Sequence, residues 1–435
     1  MITVYCEHIT PRHRFIFDFI FVDMTGIECH LTDNKDEFAA SKGAKINYSD
    51  VASAGGLHIR PHSLLFQTGI RQQEIKTDTW KELPVFFEVE NPSSVPFDPF
   101  AMAFYLVTRY EEYLPFEPDE HGRFRPEHSL AYRENFIRMP VVNLVVEEMK
   151  KMLLAQFPGL NLPRRPFRFL PTIDVDIAFA HKGKGWLRAS AAWAKLLLKT
   201  NFRQIGERIS VLAGSMPDPY DNFDLHLSLA EKYGLRLHYF ILIGKFGKYD
   251  RNTSYRSSSF KKILKKLSLT ADMGLHPSYR SYLSGKITGE EKGRLGDIIM
   301  KPVSSSRFHF LRLKFPDSYR LLINEGITDD YSMGYSTLNG FRAGTCTPFK
   351  FYDLEKEEMT NLNIHPFIFM DSAMIDHINM TPGQGLDEIT DLIGLVKALG
   401  GEAVGIWHNY SLCEQGVYKG WQDVMSSVFE KFQST

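Results

Sequence analysis

The sequence predicts an α/β protein built in two unequal parts. Three observations lead to that class. In the C-terminal part, short apolar runs alternate with stretches of helical period, as in a parallel sheet joined by crossover helices. Residues 158–166 hold three prolines and a glycine, the composition of a linker. At 435 residues the chain is too long for one ordinary core. The expected organisation is a smaller α/β domain over 1–160 and a larger one over 166–435.

Taken in order, 15–22 is an apolar run expected to be a buried strand, and 84–89 a second strand. Asp98-Pro99 is a helix start: Asp can cap free amides, and Pro is tolerated at the first helical position. That helix is expected over 100–113. Its charged end, Arg109, Glu111 and Glu112, reads as a salt-bridged surface. Residues 141–157 place Val141, Val145, Met149 and Leu153 on one face of an amphipathic helix. Beyond the linker, strands are expected at 167–173, 235–243, 272–276, 366–370 and 403–406. Helices are expected at 224–232, 261–267, 315–325, 386–399 and 421–432.

Composition narrows the function classes. A formal net charge of -1 argues against nucleic acid or an anionic membrane as partner. Cys6, Cys29, Cys346 and Cys413 are scattered and form no Cys-x-x-Cys pair, so neither a disulfide scaffold nor a zinc–thiolate site is indicated. The N-terminus lacks a basic start followed by an apolar run and a cleavage site, and 15–22 is too short to span a bilayer. A cytoplasmic protein without a membrane span is expected.

In parallel α/β folds the chemistry sits at the carboxyl ends of the strands. Asp174, Asp176, His276, Asp371 and His408 all fall at such ends. Asp174 and Asp176 are two apart on a strand and so face one side. Two like charges that close need a cation or a shared proton. The pair is either a metal or acid/base site or two solvated aspartates. His276 is a ligand or a hydrogen-bonded structural histidine. Arg342, between Gly340 and Gly344, can reach a buried carboxylate with its fork or lie on the surface. His408, after Trp407, suits a general acid beside a flat apolar face, or a half-buried structural role.

In this order the motifs resemble those of the polysaccharide deacetylases of the NodB-homology group, carbohydrate esterase family four. The layout is similar to a divergent bacterial subgroup with an extra N-terminal α/β domain. The family's Thr-Phe-Asp-Asp motif, Asp-x-Asp in close relatives, corresponds to Thr172-Ile173-Asp174-Val175-Asp176. Its His-(Ser/Thr)-x-x-His corresponds to His276-Pro277-Ser278-Tyr279-Arg280, its Arg-x-(Pro/Gly) to Arg342-Ala343-Gly344, and its Leu-x-His to Ile406-Trp407-His408. The resemblance implies a distorted (β/α) barrel over 166–435, a divalent metal such as zinc, and removal of acetyl from an amino-sugar-containing saccharide. By that match Asp174 is the general base, Asp176 and His276 are metal ligands, Arg342 orients the base and His408 is the general acid. A backbone amide near Tyr279 would assist the oxyanion, Trp407 would contact the sugar, and Asp371 is the nearest counterpart of the family's Asp-Trp motif.

One departure bears on all of this. Arg280 stands where the family has its second metal-binding His, and a guanidinium cannot ligate a metal. Three readings stay open. His309 or Asp371 supplies the third ligand; or two protein ligands and waters hold the ion; or no ion binds, and Arg280 neutralises the aspartates in a carbohydrate-binding protein without catalysis. Hydrolysis of C–N bonds in small cyclic amides is a further alternative.

Overall fold

The computed structural model describes residues 1–52, 55–90, 93–163, 165–183 and 202–433; residue 164 of the expected linker lies outside them. Strands β1 (Ile2–Cys6), β2 (Cys29–Thr32), β3 (Ala44–Tyr48) and β4 (Leu57–Ile59) form a parallel sheet in the order β2-β1-β3-β4. A short hairpin, β5 (Asp78–Trp80) and β6 (Leu83–Val85), follows.

The expected strand at 15–22 is instead helical. A helix over Pro11–Phe17 runs into a π-helical turn over Asp18–Met24. The Thr10 hydroxyl accepts from the His13 amide and the His13 ring accepts from the Thr10 amide, a reciprocal cap with Pro11 just inside it. Within 15–22 Asp18 is the only polar residue, so the run shows no period, and apolarity alone does not separate helix from strand. The helix begun at Asp98 covers Pro99–Val107, not 100–113. Arg109 takes a left-handed φ of 55° and a single 3₁₀ turn, Tyr110–Tyr113, follows.

The second sheet comprises β7 (Arg168–Val175), β8 (His238–Ile241), β9 (Asp272–Leu275), β10 (Ser305–Ser306), β11 (Asp329–Asp330), β12 (Phe349–Asp353), β13 (Glu358–Ile364), β14 (Phe367–Met370) and β15 (Glu402–His408). Their order is β12-β13-β11-β10-β9-β8-β7-β15-β14, parallel throughout except for β12 against β13. Only His365 and Pro366 separate β13, which pairs with β11, from β14, which pairs with β15. One bent run therefore links the two flanks of the sheet, and no continuous ladder closes it among the described residues. None of their helices is long and apolar enough to cross a membrane.

The two parts share a core. One apolar cluster runs from β1 and the helix Pro11–Phe17 through Phe100 and Phe104 to Tyr319, Phe349, Tyr352 and Leu362. Phe15 and Phe104 lie 4.9 and 5.4 Å from the Tyr352 ring. Buried Arg12 donates from Nε to Glu357 at 2.9 Å across the same seam.

His365 sits at the bend between β13 and β14. Its Nδ1 lies 2.6 Å from Glu402 and its Nε2 3.1 Å from Asp329, with the ring stacked 4.3 Å from Tyr331. Burial opposes its charge, but the two carboxylates outweigh burial and raise its pKa to about 9 from the ordinary 6.5. A raised folded-state pKa means the bridge contributes fully below pH 6.5 and is lost as pH rises through 9. His365→Gln should cost on the order of 2 kcal/mol at pH 6 and flatten the loss of melting temperature toward pH 9.5. Thermal unfolding across that range checks this; an unchanged pH slope in the variant would show that the bridge does not govern it.

Candidate active site

β7 and β15 lie side by side with Asp174 opposite His408, so the register brings both to the carboxyl edge of the sheet. Arg307, directly after the two-residue strand β10, reaches Asp174. Its Nη1 donates to Asp174 Oδ1 at 2.7 Å and to Thr172 Oγ1 at 2.8 Å, and its Nε donates to the Tyr331 carbonyl at 2.9 Å. The guanidinium is wholly buried, 4.4 Å from the Phe240 ring centroid. In that dry setting it compensates the Asp174 carboxylate directly.

Asp176 is compensated differently. Its Oδ1 is buried without a hydrogen-bond partner, 3.2 Å from His276 Nε2 and 3.7 Å from His309 Nε2. His276 Nδ1 is bonded to the Arg307 carbonyl, and His309 Nδ1 lies 3.0 Å from Asp250 Oδ1. A ring that donates from Nδ1 and is otherwise neutral keeps its Nε2 lone pair free for a cation. The ligand atoms of Asp176, His276 and His309 all lie within 4.8 Å of one another. One carboxylate and two imidazoles, each imidazole fixed by an outer partner, is a donor set for a divalent metal with positions left open. The orphaned oxygen is the atom such an ion would satisfy, so these residues fit a metal. Burial tends to raise the Asp176 pKa, but His309, His276 and His408 outweigh it and hold the carboxyl well below the usual range. Burial likewise opposes charge on His276, and Asp174 and Asp176 overcome it. The space attracts positive charge, whether carried by a proton or by a metal ion.

The turn that presents His309 is strained. Phe310 and Leu311 adopt left-handed φ values of 61° and 53°, which cost roughly 1–3 kcal/mol each for such residues. Residues from the N-terminal part hold it: Arg123 Nη1 donates to the Phe310 carbonyl at 2.9 Å, and the His121 ring packs 4.8 Å from the Phe310 ring. Arg312 Nε donates back to the His121 carbonyl at 2.8 Å.

His408 and Asp371 form the other side of the site. His408 Nδ1 lies 2.6 Å from Asp371 Oδ1, the His408 amide donates to Asp371 Oδ2 at 2.6 Å, and the Ser411 hydroxyl donates to the same oxygen. Burial would lower the His408 pKa, but Asp371, with Asp176 and Asp174 beyond it, raises it to about 10. Its Nε2 lies 3.9 Å from Asp176 Oδ2. A protonated imidazole thus faces the carboxylates, oriented by Asp371.

Six sequence-based expectations are met differently by the structure. Arg342 does not reach Asp174; its fork binds Glu112 at 2.9 and 2.5 Å, and Arg307 occupies the place beside Asp174. Arg109, Glu111 and Glu112 belong to that same buried network rather than to a surface. Arg280 is exposed, so the reading in which it neutralises the aspartates loses its basis. The Tyr279 amide is already donated to Asp250 at 2.7 Å. Trp407 is fully buried against Phe369, because neighbours on a strand face opposite sides and His408 takes the side of the site. Asp371 orients His408 and is no third ligand. Arg307 and Asp250 belong to none of the sequence motifs. The one available signal was Arg307 and His309 flanking Phe308 at strand spacing, next to a strand too short to show a pattern.

A family of unknown function (DUF7033) matches residues 2–158. No curated protein matches the sequence. Among solved structures the chain is similar to a protein assigned as a polysaccharide deacetylase from Mycobacterium smegmatis, with TM-score 0.39 and 12% identity over 62% of this chain and 86% of that one. It is also similar to Puue allantoinase, with TM-score 0.38 and 10% identity over 62% and 88%. At these scores the likenesses carry no functional weight beside the geometry of the residues.

Metal titration tests the donor set. His309→Ala and Asp176→Asn should weaken Co(II) or Zn(II) binding by about 100-fold or more, Arg123→Ala by roughly tenfold through the strained turn, and Arg280→Ala not at all. Equal affinity in wild type and His309→Ala would remove His309 from the site.

Proposed function

We propose that the chain is a metal-dependent hydrolase that removes the acetyl group from an N-acetylated amino sugar, with the larger sheet acting as a distorted barrel. The observation that carries this reading is the grouping itself. A three-residue donor set lies between a carboxylate paired with Arg307 and an imidazolium paired with Asp371. Asp176, His276 and His309 would hold the ion. A divalent ion bound there supplies Lewis acidity toward an amide carbonyl and makes water a stronger nucleophile at neutral pH.

The chain's own groups perform the proton transfers. Asp174 has one oxygen engaged by Arg307 and the other turned toward His276, 3.9 Å away. It takes a proton from the attacking water as the new C–O bond forms. His408, protonated through Asp371, gives its Nε2 proton to the departing nitrogen as the C–N bond breaks. Acetate and a free amine result. Arg307 fixes the position of Asp174, the part that the resemblance implies for Arg342.

Asp174→Asn should lower acetate release from N-acetylglucosamine and its oligomers by about 1,000-fold or more, and His408→Gln by roughly 100- to 10,000-fold, with metal binding retained in both. Turnover that persists in Asp174→Asn would overturn its assignment as base. A parallel assay on small cyclic amides separates sugar deacetylation from hydrolysis of other C–N bonds.

A further inference from the structure

Residues 119–127 of the N-terminal part do more than brace the His309 turn. They line a cavity of about 280 Å³ whose opposite wall is the strand-end loop 334–337. A second cavity, of about 410 Å³, shares Phe124 and Glu127 with the first, so the two adjoin along this one segment. The first cavity lies beside the candidate site. Arg123 in its wall is bonded to the carbonyl of Phe310, the residue after His309, and Leu311, the next residue, also lines it. Gly334 in the opposite wall packs so closely on Phe367 that an added Cβ would stand 2.3 Å from the ring.

The lining selects a class of ligand. Arg123 is paired with Asp119 at 2.7 Å and Arg342 with Glu112, so these guanidinium charges are already met and the cavity has no surplus for a strongly anionic group. The groups left at the surface are the exposed side chains of Arg125 and Glu127 and the half-buried hydroxyls of Ser336 and Thr337, beside the aromatic Phe124. Donors and acceptors in mixed array, over a wall whose arginine charges are largely met, complement an uncharged polyhydroxylated ring. Two cavities of this size that share a lining segment hold more room than a single ring needs.

We propose that 119–127 and 334–337 form a saccharide subsite that binds sugar units attached to the one being deacetylated. The assignment rests on the sugar reading above, but it concerns binding, and binding can be measured without turnover. The probes are N-acetylglucosamine and its β-1,4-linked tetramer, titrated calorimetrically into the metal-loaded protein. The tetramer should bind at least about tenfold more tightly than the monomer. The double variant Arg125→Ala/Glu127→Ala should lose that advantage and keep its affinity for the monomer. Both side chains are exposed, so the fold should tolerate their removal, and Thr337→Val tests the facing wall independently. No binding of the tetramer, equal affinity for both lengths, or a length effect untouched by all three substitutions overturns the subsite. Length-dependent binding that these substitutions remove supports it even where no acetate is released, and in that case it is the deacetylase reading that falls.

Discussion

Two carboxylates two residues apart, at the buried edge of a sheet, set the terms for everything around them. Left alone, Asp174 and Asp176 would repel each other in a medium that screens poorly. The fold divides the problem. A guanidinium meets the first carboxylate, and imidazoles with a cation-seeking gap meet the second. Because the compensators differ, so do the roles open to the two groups: one is free to exchange a proton and the other to ligate. That asymmetry needs β7, β9, β10 and β15 to present Asp174, His276, Arg307 and His408 at one edge of the sheet, with β8 lying between β7 and β9.

Part of this was legible in the sequence because strand ends are legible. Asp174, Asp176, His276 and His408 each close an apolar run, and the structure brings them within a few ångströms of one another. Arg307 was hidden by the shortness of β10, where two serines precede it and no alternation can register. Trp407 was misjudged as a surface platform because an aromatic beside a catalytic-type histidine draws notice, whereas strand alternation already places it on the opposite face. The run at 15–22 was misjudged for a different reason. The exposed positions of its helical stretch, Pro11, Arg14, Asp18 and Val22, recur at helical spacing, but within 15–22 Asp18 is the only polar residue, too little to betray a period.

Arg342 shows that a sequence motif does not by itself fix a contact. It lies where the family pattern places an arginine, yet its partner comes from the N-terminal part. Glu112 receives both Arg342 and Arg109, and all three are buried. Burial alone would push the Glu112 carboxyl up, and the two guanidinium groups pull it down. Removing one member of such a cluster leaves uncompensated charge in the interior, so it fixes the loop 334–344 as firmly as any apolar contact.

The shared core has an evolutionary corollary. Domains that recombine freely meet across wet, polar boundaries, whereas here Phe15, Phe104 and Tyr352 interlock in one dry cluster and Arg12 is sealed within it. A gene break near the linker would hand each descendant a raw apolar face. Neither part therefore completes its core without the other, and a change of volume on one side of the seam is felt on the other.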